Sequence, residues 1–573
     1  MPPRTLLRRL LVLRTAKLPN ATRLFTRHTN VSSRKRPQLP FLSVPLARNH
    51  QFRYLTTERK RWLAYEMVLG IKYTINVWAI LGLGILGYWT VQQEWLERHY
   101  PSPWDWTFVS RWRFRLARWA PDRTDAIETD WVEVGNYAKN VLERLEDPKI
   151  DGADLREQEL LDGGVGGVWI DGIGKPGYDA TAKSEPWRRG YYEILMLAAK
   201  AAEHLSTHVV DKTRKLVFPA DQVIGPSNPN PKPIPHGAQG APREEDCEPA
   251  YEPPDTFYMR ILTTKGFTAK QKLDAALEYA SWLDFKGAPE ASDKMYEWAL
   301  SLATDGASPA PPPYDPQSYV LKDSTQPPSA NILATLTALA THKARNGEVS
   351  QALPIFISIL RARKTLPPPQ SASDSDADSG VILPWYLDNA LGRVIKPLLS
   401  PPYPPPPPDG TAPPPRDARE LCEEAALDLY IGEIIFARQG REDGLAWTRE
   451  AVDLAEEQLH KLGTSPTSTS TTSDAAVAAA RKTCRECLGS GLENWGKMVA
   501  RLAREEAERE RQGGAAPAKA SWLGFWGEGA SKHENEGRWA AEENVVRERT
   551  RRAQEVLEEL EAPKMGLSTL FQV

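Results

Sequence analysis

Residues 273–306 read LDAALEYASWLDFKGAPEASDKMYEWALSLATDG, and this stretch shows most clearly the helical unit from which we predict the fold. Apolar residues recur at spacings of three and four on both sides of Gly287, which predicts two helices joined by a tight turn. The small residues Ala280 and Ala299 stand one in each helix, and the aromatic Tyr296 belongs to the second helix. Because paired helices approach closely only where side chains are small, these residues predict the crossing of a two-helix unit.

Two later segments repeat these offsets and predict two more helix pairs. In residues 333–366 the corresponding small, turn and aromatic residues are Ala340, Gly347, Ala352 and Phe356. In residues 425–458 the corresponding small residues are Gly432, Gly444 and Ala451. A fourth pair is expected from Gly489 onward, with its second helix delayed to residues 538–561. An irregular helical bundle is the alternative, since alanine-rich helices meet the same pattern easily.

The spacing within these units resembles the tetratricopeptide repeat (TPR), a two-helix repeat of about 34 residues. The resemblance implies an all-α fold in which residues 251–573 form a divergent TPR-like helical repeat domain, preceded by a helical region over residues 131–224. The match departs from the family at Thr304, where a closing proline is expected, and at Ile359 and Thr448.

Proline-rich insertions interrupt the predicted repeats. Their composition cannot bury enough apolar surface to order itself, so we expect spacers, including a disordered linker over residues 225–250. The other insertions cover residues 308–328, 365–379 and 400–415. The run Pro404 to Pro408 favours a polyproline II helix, which an SH3-like or WW-like module could bind if it is not a plain spacer.

The N-terminal residues 1–57 are basic and contain no acidic residue. They hold 12 Arg and Lys, whereas the rest of the chain has 60 basic and 75 acidic residues. An Arg-rich, acid-free and partly amphipathic leader is typical of a mitochondrial presequence, and we expect its removal near residues 53–56. A basic arm that binds nucleic acid or acidic lipid is the alternative.

Residues 73–93 contain no charged residue and are long enough to form a single N-terminal transmembrane helix. Basic residues precede this segment at 59–61, and Glu94 and Glu97 follow it. Under the positive-inside rule, this bias predicts an N-terminus in the matrix and a C-terminal domain in the intermembrane space. Residues 101–120 carry four Trp among four Arg, so we expect them to lie on the membrane surface.

The sequence shows no P-loop, no nucleophile elbow and no pair of catalytic carboxylates. Cys484 and Cys487 form a C-x-x-C pattern, but zinc needs four ligands and the other two cysteines lie far away in sequence. We interpret the pair as buried packing thiols, with a redox couple or a disulfide as the alternative. His204 and His208 lack a third metal ligand and are interpreted as structural. The sequence therefore predicts no enzyme, no cofactor and no bound metal.

The combination of a mitochondrial leader, one span near residue 80 and a divergent TPR array resembles the fungal inner-membrane adaptors of the i-AAA protease. The resemblance implies that the helical domain faces the intermembrane space, associates with the protease and helps to deliver unfolded or membrane-protein substrates. One alternative is a TPR assembly factor for a respiratory-chain complex, which would share the same layout. Another is a redox or metal enzyme built around Cys484 and Cys487.

The TPR resemblance also implies a concave groove lined by the first helix of each pair. Offsets carried over from the family place five residues on it, namely Leu277, Asp284, Leu429, Glu433 and Phe436. Apolar side chains left at a groove wall are costly unless they meet a partner, which suits extended or unfolded protein segments. The alternative is that the apolar members pack against the insertions or neighbouring helices.

Overall fold

The computed structural model is mostly helical, as the sequence predicts. It describes residues 57–123, 129–157, 176–234, 240–305, 312–322, 326–368, 403–438, 440–464, 471–512 and 537–561. The predicted presequence lies outside the described residues up to position 56, and so does most of the insertion after residue 368. The chain forms two compact units, which meet in sequence between Thr90 and Val91.

Helix α1, Thr57–His99, contains the predicted span 73–93. It is the one described helix that is long and apolar enough to cross a membrane, judged by length and composition. Most of its large apolar side chains between Trp62 and Val91 are exposed, whereas Leu69 and Trp89 are half-buried. So many exposed apolar side chains on one helix of 43 residues are unusual for a protein surface in water.

Capping residues mark where several of the following helices begin. Thr268 and Gln271 form a reciprocal capping box at the start of one helix, and Ser184 and Asp417 each cap another through a side-chain oxygen. The α-helices in the described part of the second unit are α2 Phe108–Trp119, α3 Trp131–Glu146, α4 Glu185–Leu205, α5 Pro254–Thr263, α6 Ala269–Phe285, α7 Pro289–Asp305, α8 Ala330–Arg345, α9 Val349–Lys364, α10 Ala418–Ala437, α11 Arg441–Thr464, α12 Thr471–Gln512 and α13 Arg538–Glu561.

A small antiparallel sheet interrupts the helices, contrary to the all-α expectation. Its strands are β1 His208–Asp211, β2 Val217–Pro219 and β3 Cys247–Pro249, in the order β2-β1-β3. Two of its strands lie within the predicted helical region 131–224, and the third lies at the end of the segment 225–250 that is predicted to be a disordered linker. Strands of three or four residues are too short to show an alternating pattern, and a proline ends two of them.

Two apolar cores hold the second unit together. The larger core draws on α2 to α9 and part of α10, and the second joins α10 to α13. Within them α6 packs on α7, α8 on α9, α10 on α11 and α12 on α13. The residues predicted to sit at helix crossings are all buried: Ala280, Tyr296, Ala299, Ala340, Ala352, Phe356, Gly432, Gly444 and Ala451. Gly287 and Gly347 end α6 and α8 at positive φ, as turn glycines do.

The proline-rich segment from Tyr403 is held against the folded body, which corrects its interpretation as a free spacer, although Pro404 to Pro408 are exposed. The Arg189 guanidinium donates to the carbonyl oxygens of Pro404 and Pro405 at 2.6 and 2.9 Å, and it lies over the Tyr403 ring. Further along, the Gly410 carbonyl accepts from the Asn331 backbone N–H at the start of α8. A segment without regular secondary structure is therefore ordered by donors on distant helices.

The segment 101–120 belongs to the folded unit rather than lying wholly on a membrane. Trp106 and Phe114 are in the larger core, with their rings edge to face at 5.1 Å. Arg115 is buried and paired with Glu97. An arginine used in this way cannot reach lipid phosphates. Trp104 remains exposed.

Candidate functional site

The structure does not bring the five predicted groove residues together on an open wall. Leu429 and Phe436 are buried in the second core, which corrects their placement at a groove. A Cβ atom added at Gly491 of α12 would lie 3.4 Å from a Leu429 methyl, so α12 covers this face of α10. Leu277 is half-buried against the larger core, and only Glu433 is exposed.

Asp284, the fifth predicted residue, contacts a buried histidine of a neighbouring helix. Its carboxylate lies 2.8 Å from Nδ1 of His342, whose Nε2 lies 2.8 Å from Asp293. The His342 ring is buried and packs 4.8 Å from the ring of Tyr296. The cluster ties α6, α7 and α8 together, so Asp284 serves packing rather than an open binding surface.

An open groove lies instead between α12 and α13, with a volume of about 780 Å³. Leu492 and Val546 form its apolar floor, and small residues leave its α12 wall open. A Cβ atom at Gly489 would meet no atom within 4 Å, and one at Gly496 would approach only Val546, at 3.8 Å. The complete lining is Gly489, Leu492, Glu493, Gly496, Lys497, Ala500, Glu543, Val546, Arg547, Thr550, Arg551, Ala553 and Gln554.

The charged residues at the groove rim neutralise one another along each helix. Glu493 and Lys497 pair at 2.6 Å on α12, and Glu543 and Arg547 pair at 3.1 Å on α13. Opposite charges at positions i and i+4 attract each other because they lie one turn apart on the same face of a helix. The rim therefore presents polar groups without a strong charge preference of its own.

Trp495 fixes α13 in place beside α12. It is buried, and the guanidinium carbons of Arg449 and Arg549 lie 5.7 and 5.4 Å from its ring centre. Arg549 also pairs with Asp453 and Glu456 of α11. The sequence predicts a helix pair from Gly489 onward but not the groove, whose signal is the small-residue face Gly489, Gly496 and Ala500 of α12.

The cysteines pair differently from either sequence interpretation. Cys484 forms a disulfide with Cys422 of α10, whose sequence separation is 62 residues. Cys487 is a free, buried thiol. Burial first, and then the charges of Glu423 and Asp428, raise the pKa of the Cys487 thiol to about 12. A redox couple between Cys484 and Cys487 is therefore not the arrangement in this structure.

Asp428 is a buried carboxyl group beside this thiol. One of its oxygens, Oδ1, is buried without a hydrogen-bond partner. Burial raises the pKa of Asp428 to about 7; Lys364 opposes this rise, and Glu450 and Glu424 add to it. Transfer of a carboxylate from water into an apolar surrounding is costly, so the carboxyl group holds its proton to an unusually high pH.

We expect Asp428→Asn to stabilise the protein increasingly as the pH rises. The folded-state pKa is raised, so the folded state binds the proton more tightly, and wild-type stability falls between pH 4 and pH 7. Because asparagine does not titrate, the variant does not lose stability over this pH range at position 428. The stabilising effect should be about 2 kcal/mol greater at pH 8 than at pH 5. Denaturant unfolding at the two pH values measures it, and an equal effect at both would contradict the assignment.

The two candidate metal-binding histidines lie on different elements. His204 is near the end of α4 and stacks on Trp131 at 4.0 Å, whereas His208 begins β1. Within the described ranges, no three His, Cys, Asp or Glu side chains are grouped to hold a metal ion.

The groove between α12 and α13 thus combines volume, an apolar floor and a self-neutralised polar rim. Comparison with protein-family models, curated proteins and solved structures finds no match to the chain.

Proposed function

We propose that this chain is an adaptor of the mitochondrial inner membrane. Its helical domain, with TPR-like repeats in the intermembrane space, binds unfolded or membrane-protein segments and associates with the i-AAA protease for quality control. It acts by binding rather than by catalysis of its own, without a cofactor or metal. The single observation that carries the proposal is the groove between α12 and α13.

The chemistry of the groove suits segments of many sequences. Its floor is apolar, and the glycines of its α12 wall leave room for the bulky side chains of a partner. Burial of apolar area supplies affinity without a demand for particular hydrogen bonds. Because Lys497 and Arg547 already have carboxylate partners on their own helices, the rim selects little by charge.

The membrane anchor supports the same function. Helix α1 precedes the folded domain in sequence and exposes most of its apolar side chains between Trp62 and Val91. An anchored binding surface meets segments of membrane proteins at a high effective concentration, because both are confined to one membrane. The residues of the predicted leader lie before this anchor.

Filling the groove tests the proposal. In Gly489→Leu/Gly496→Leu the new side chains enter open space, and leucine favours a helix more than glycine does, so the fold should keep its melting temperature. We expect binding of a permanently unfolded probe, reduced and carboxymethylated α-lactalbumin, to weaken about tenfold, equivalent to about 1.4 kcal/mol. Fluorescence anisotropy with the labelled probe measures this change.

The matched control is Gly489→Ala/Gly496→Ala. It makes the same change in glycine content but adds only one methyl group at each position, so binding should persist. Unchanged probe binding by the leucine variant would overturn the assignment of the groove. Co-purification with the i-AAA protease tests whether the protease uses the same groove. Loss of co-purification in the leucine variant would show that it does, and retention would show that the protease binds elsewhere.

A further inference from the structure

Three exposed apolar side chains lie close together in sequence just after α1. Trp104 is 69% exposed in the connection between α1 and α2, and Phe108 and Val109, at the start of α2, are 57% and 37% exposed. The opposite face of α2 is buried through Phe114 and Ala117. The buried side of α2 thus packs on the core, whereas Trp104, Phe108 and Val109 lie on the surface. We name these three residues the Trp104 patch.

The last two turns of α1 belong to the same compact unit as the Trp104 patch. Leu96 is buried, and the Glu97 carboxylate accepts hydrogen bonds from the Ser102 hydroxyl at 2.8 and 2.9 Å. Arg111 also donates to Glu97, at 3.0 Å. These bonds fix the path of the chain between α1 and α2, so the patch keeps a set place relative to the end of α1.

The distance from the end of α1 to the patch is short. Trp104 follows His99, the last residue of α1, by five positions, which is at most about 17 Å of extended chain. The exposed apolar part of α1 ends near Val91, two turns earlier. If the apolar part of α1 occupies a hydrocarbon core, its end lies at the headgroup level, where indole and phenyl rings are favoured.

Acidic groups next to the patch have partners within the fold: the Asp105 carboxylate accepts a hydrogen bond from the Ser184 hydroxyl. Glu97 is neutralised by Arg111 and Arg115 within the fold. The patch itself presents two exposed aromatic side chains and one aliphatic side chain. This exposed apolar and aromatic surface has the same chemistry as the apolar part of α1, and it fits the same partner.

We propose that the Trp104 patch contacts the lipid headgroup region of the membrane that holds α1. The inference rests on the membrane anchoring in the proposed function, but not on the groove. The residues in contact with lipid would be Trp104, Phe108 and Val109. Trp106 and Arg115 of the same segment are buried and would not contact lipid.

Nitroxide labels on the full-length chain test the proposal. The chain carries Cys247→Ser to remove the more accessible free thiol, and Cys487 stays buried. Single variants Phe108→Cys and Trp104→Cys are labelled and reconstituted into vesicles of phosphatidylcholine and phosphatidylglycerol. Electron paramagnetic resonance then compares collisions of each label with oxygen, which concentrates in lipid, and with a water-soluble nickel chelate.

Two reference positions calibrate the measurement. Leu83→Cys reports on the apolar part of α1, and Phe285→Cys reports on an 84% exposed phenylalanine at the end of α6. We expect the oxygen-to-nickel ratio at positions 104 and 108 to exceed that at position 285 several-fold and to lie below that at position 83.

The outcomes separate the inference from the proposed function. A ratio at position 108 equal to that at position 285, with position 83 in lipid, overturns lipid contact by the patch alone. Protection of position 108 from both reagents shows a protein or a second copy covering the patch, which also overturns it. A water-like ratio at position 83 overturns both the membrane anchoring and lipid contact by the patch. The binding test of the groove does not depend on any of these three results.

Discussion

Gly444→Leu should lower the free energy of unfolding by about 3 kcal/mol or more, because it pushes two helices apart at their closest point. A Cβ atom at Gly444 would lie 2.6 Å from the Gly432 carbonyl oxygen and 2.6 Å from the Phe436 backbone nitrogen. These are backbone atoms, so no side-chain rotation can relieve the clash. Chemical denaturation followed by far-ultraviolet circular dichroism measures the loss.

The control for this prediction is the same substitution at Gly489 of α12. A side chain there meets no atom within 4 Å, so Gly489→Leu should leave the midpoint unchanged or raise it. If both variants unfold at the wild-type midpoint, α10 and α11 do not cross at Gly432 and Gly444. If both lose stability equally, the loss comes from leucine on a helix surface rather than from the crossing.

The crossing residues could be predicted from sequence because the pattern that identifies them is local. Gly432 and Gly444 lie only 12 positions apart, and the offsets of a helix pair connect them directly. Ala280, Ala299 and Ala340 are buried for the same reason. A helix pair needs small side chains at its crossing whatever surrounds it, so tertiary context does not alter the inference.

The groove residues could not be predicted in this way because their exposure depends on distant helices. Leu429 occupies a first-helix position that would face a groove in an open array, yet α12 covers it. Nothing near Leu429 in sequence reveals that α12 packs there. The exposure of a side chain is a property of the assembled fold, whereas the helical pattern specifies only which face is apolar.

The proline-rich segment shows the same limit. Its composition correctly indicates that it forms neither helix nor strand, but the donors that order it come from Arg189, more than 200 positions earlier in the sequence. Arg189 donates to two backbone carbonyl oxygens of this segment, whose consecutive prolines have no N–H groups to donate to one another. Composition predicts what a segment cannot do by itself, and the rest of the chain decides whether it is ordered.

Cys422→Ser should cost about 4 kcal/mol of stability, comparable with the loss at Gly444. The disulfide between Cys422 and Cys484 closes a loop with a sequence separation of 62 residues. In the chain-entropy model, a cross-link over this length removes about 4 kcal/mol of freedom from the unfolded chain. Unfolding in guanidinium, with and without a phosphine reductant, measures the effect.

The same measurement on two single-cysteine controls identifies the pairing. Cys487→Ser should keep the sensitivity to reductant, since Cys487 is the free thiol, whereas Cys484→Ser should lose it as Cys422→Ser does. Retained sensitivity in Cys422→Ser would instead indicate a link between Cys484 and Cys487. A disulfide persists only in an oxidising compartment. Its presence in protein isolated without added oxidant would therefore support the intermembrane space over the matrix as the location of α10 and α12.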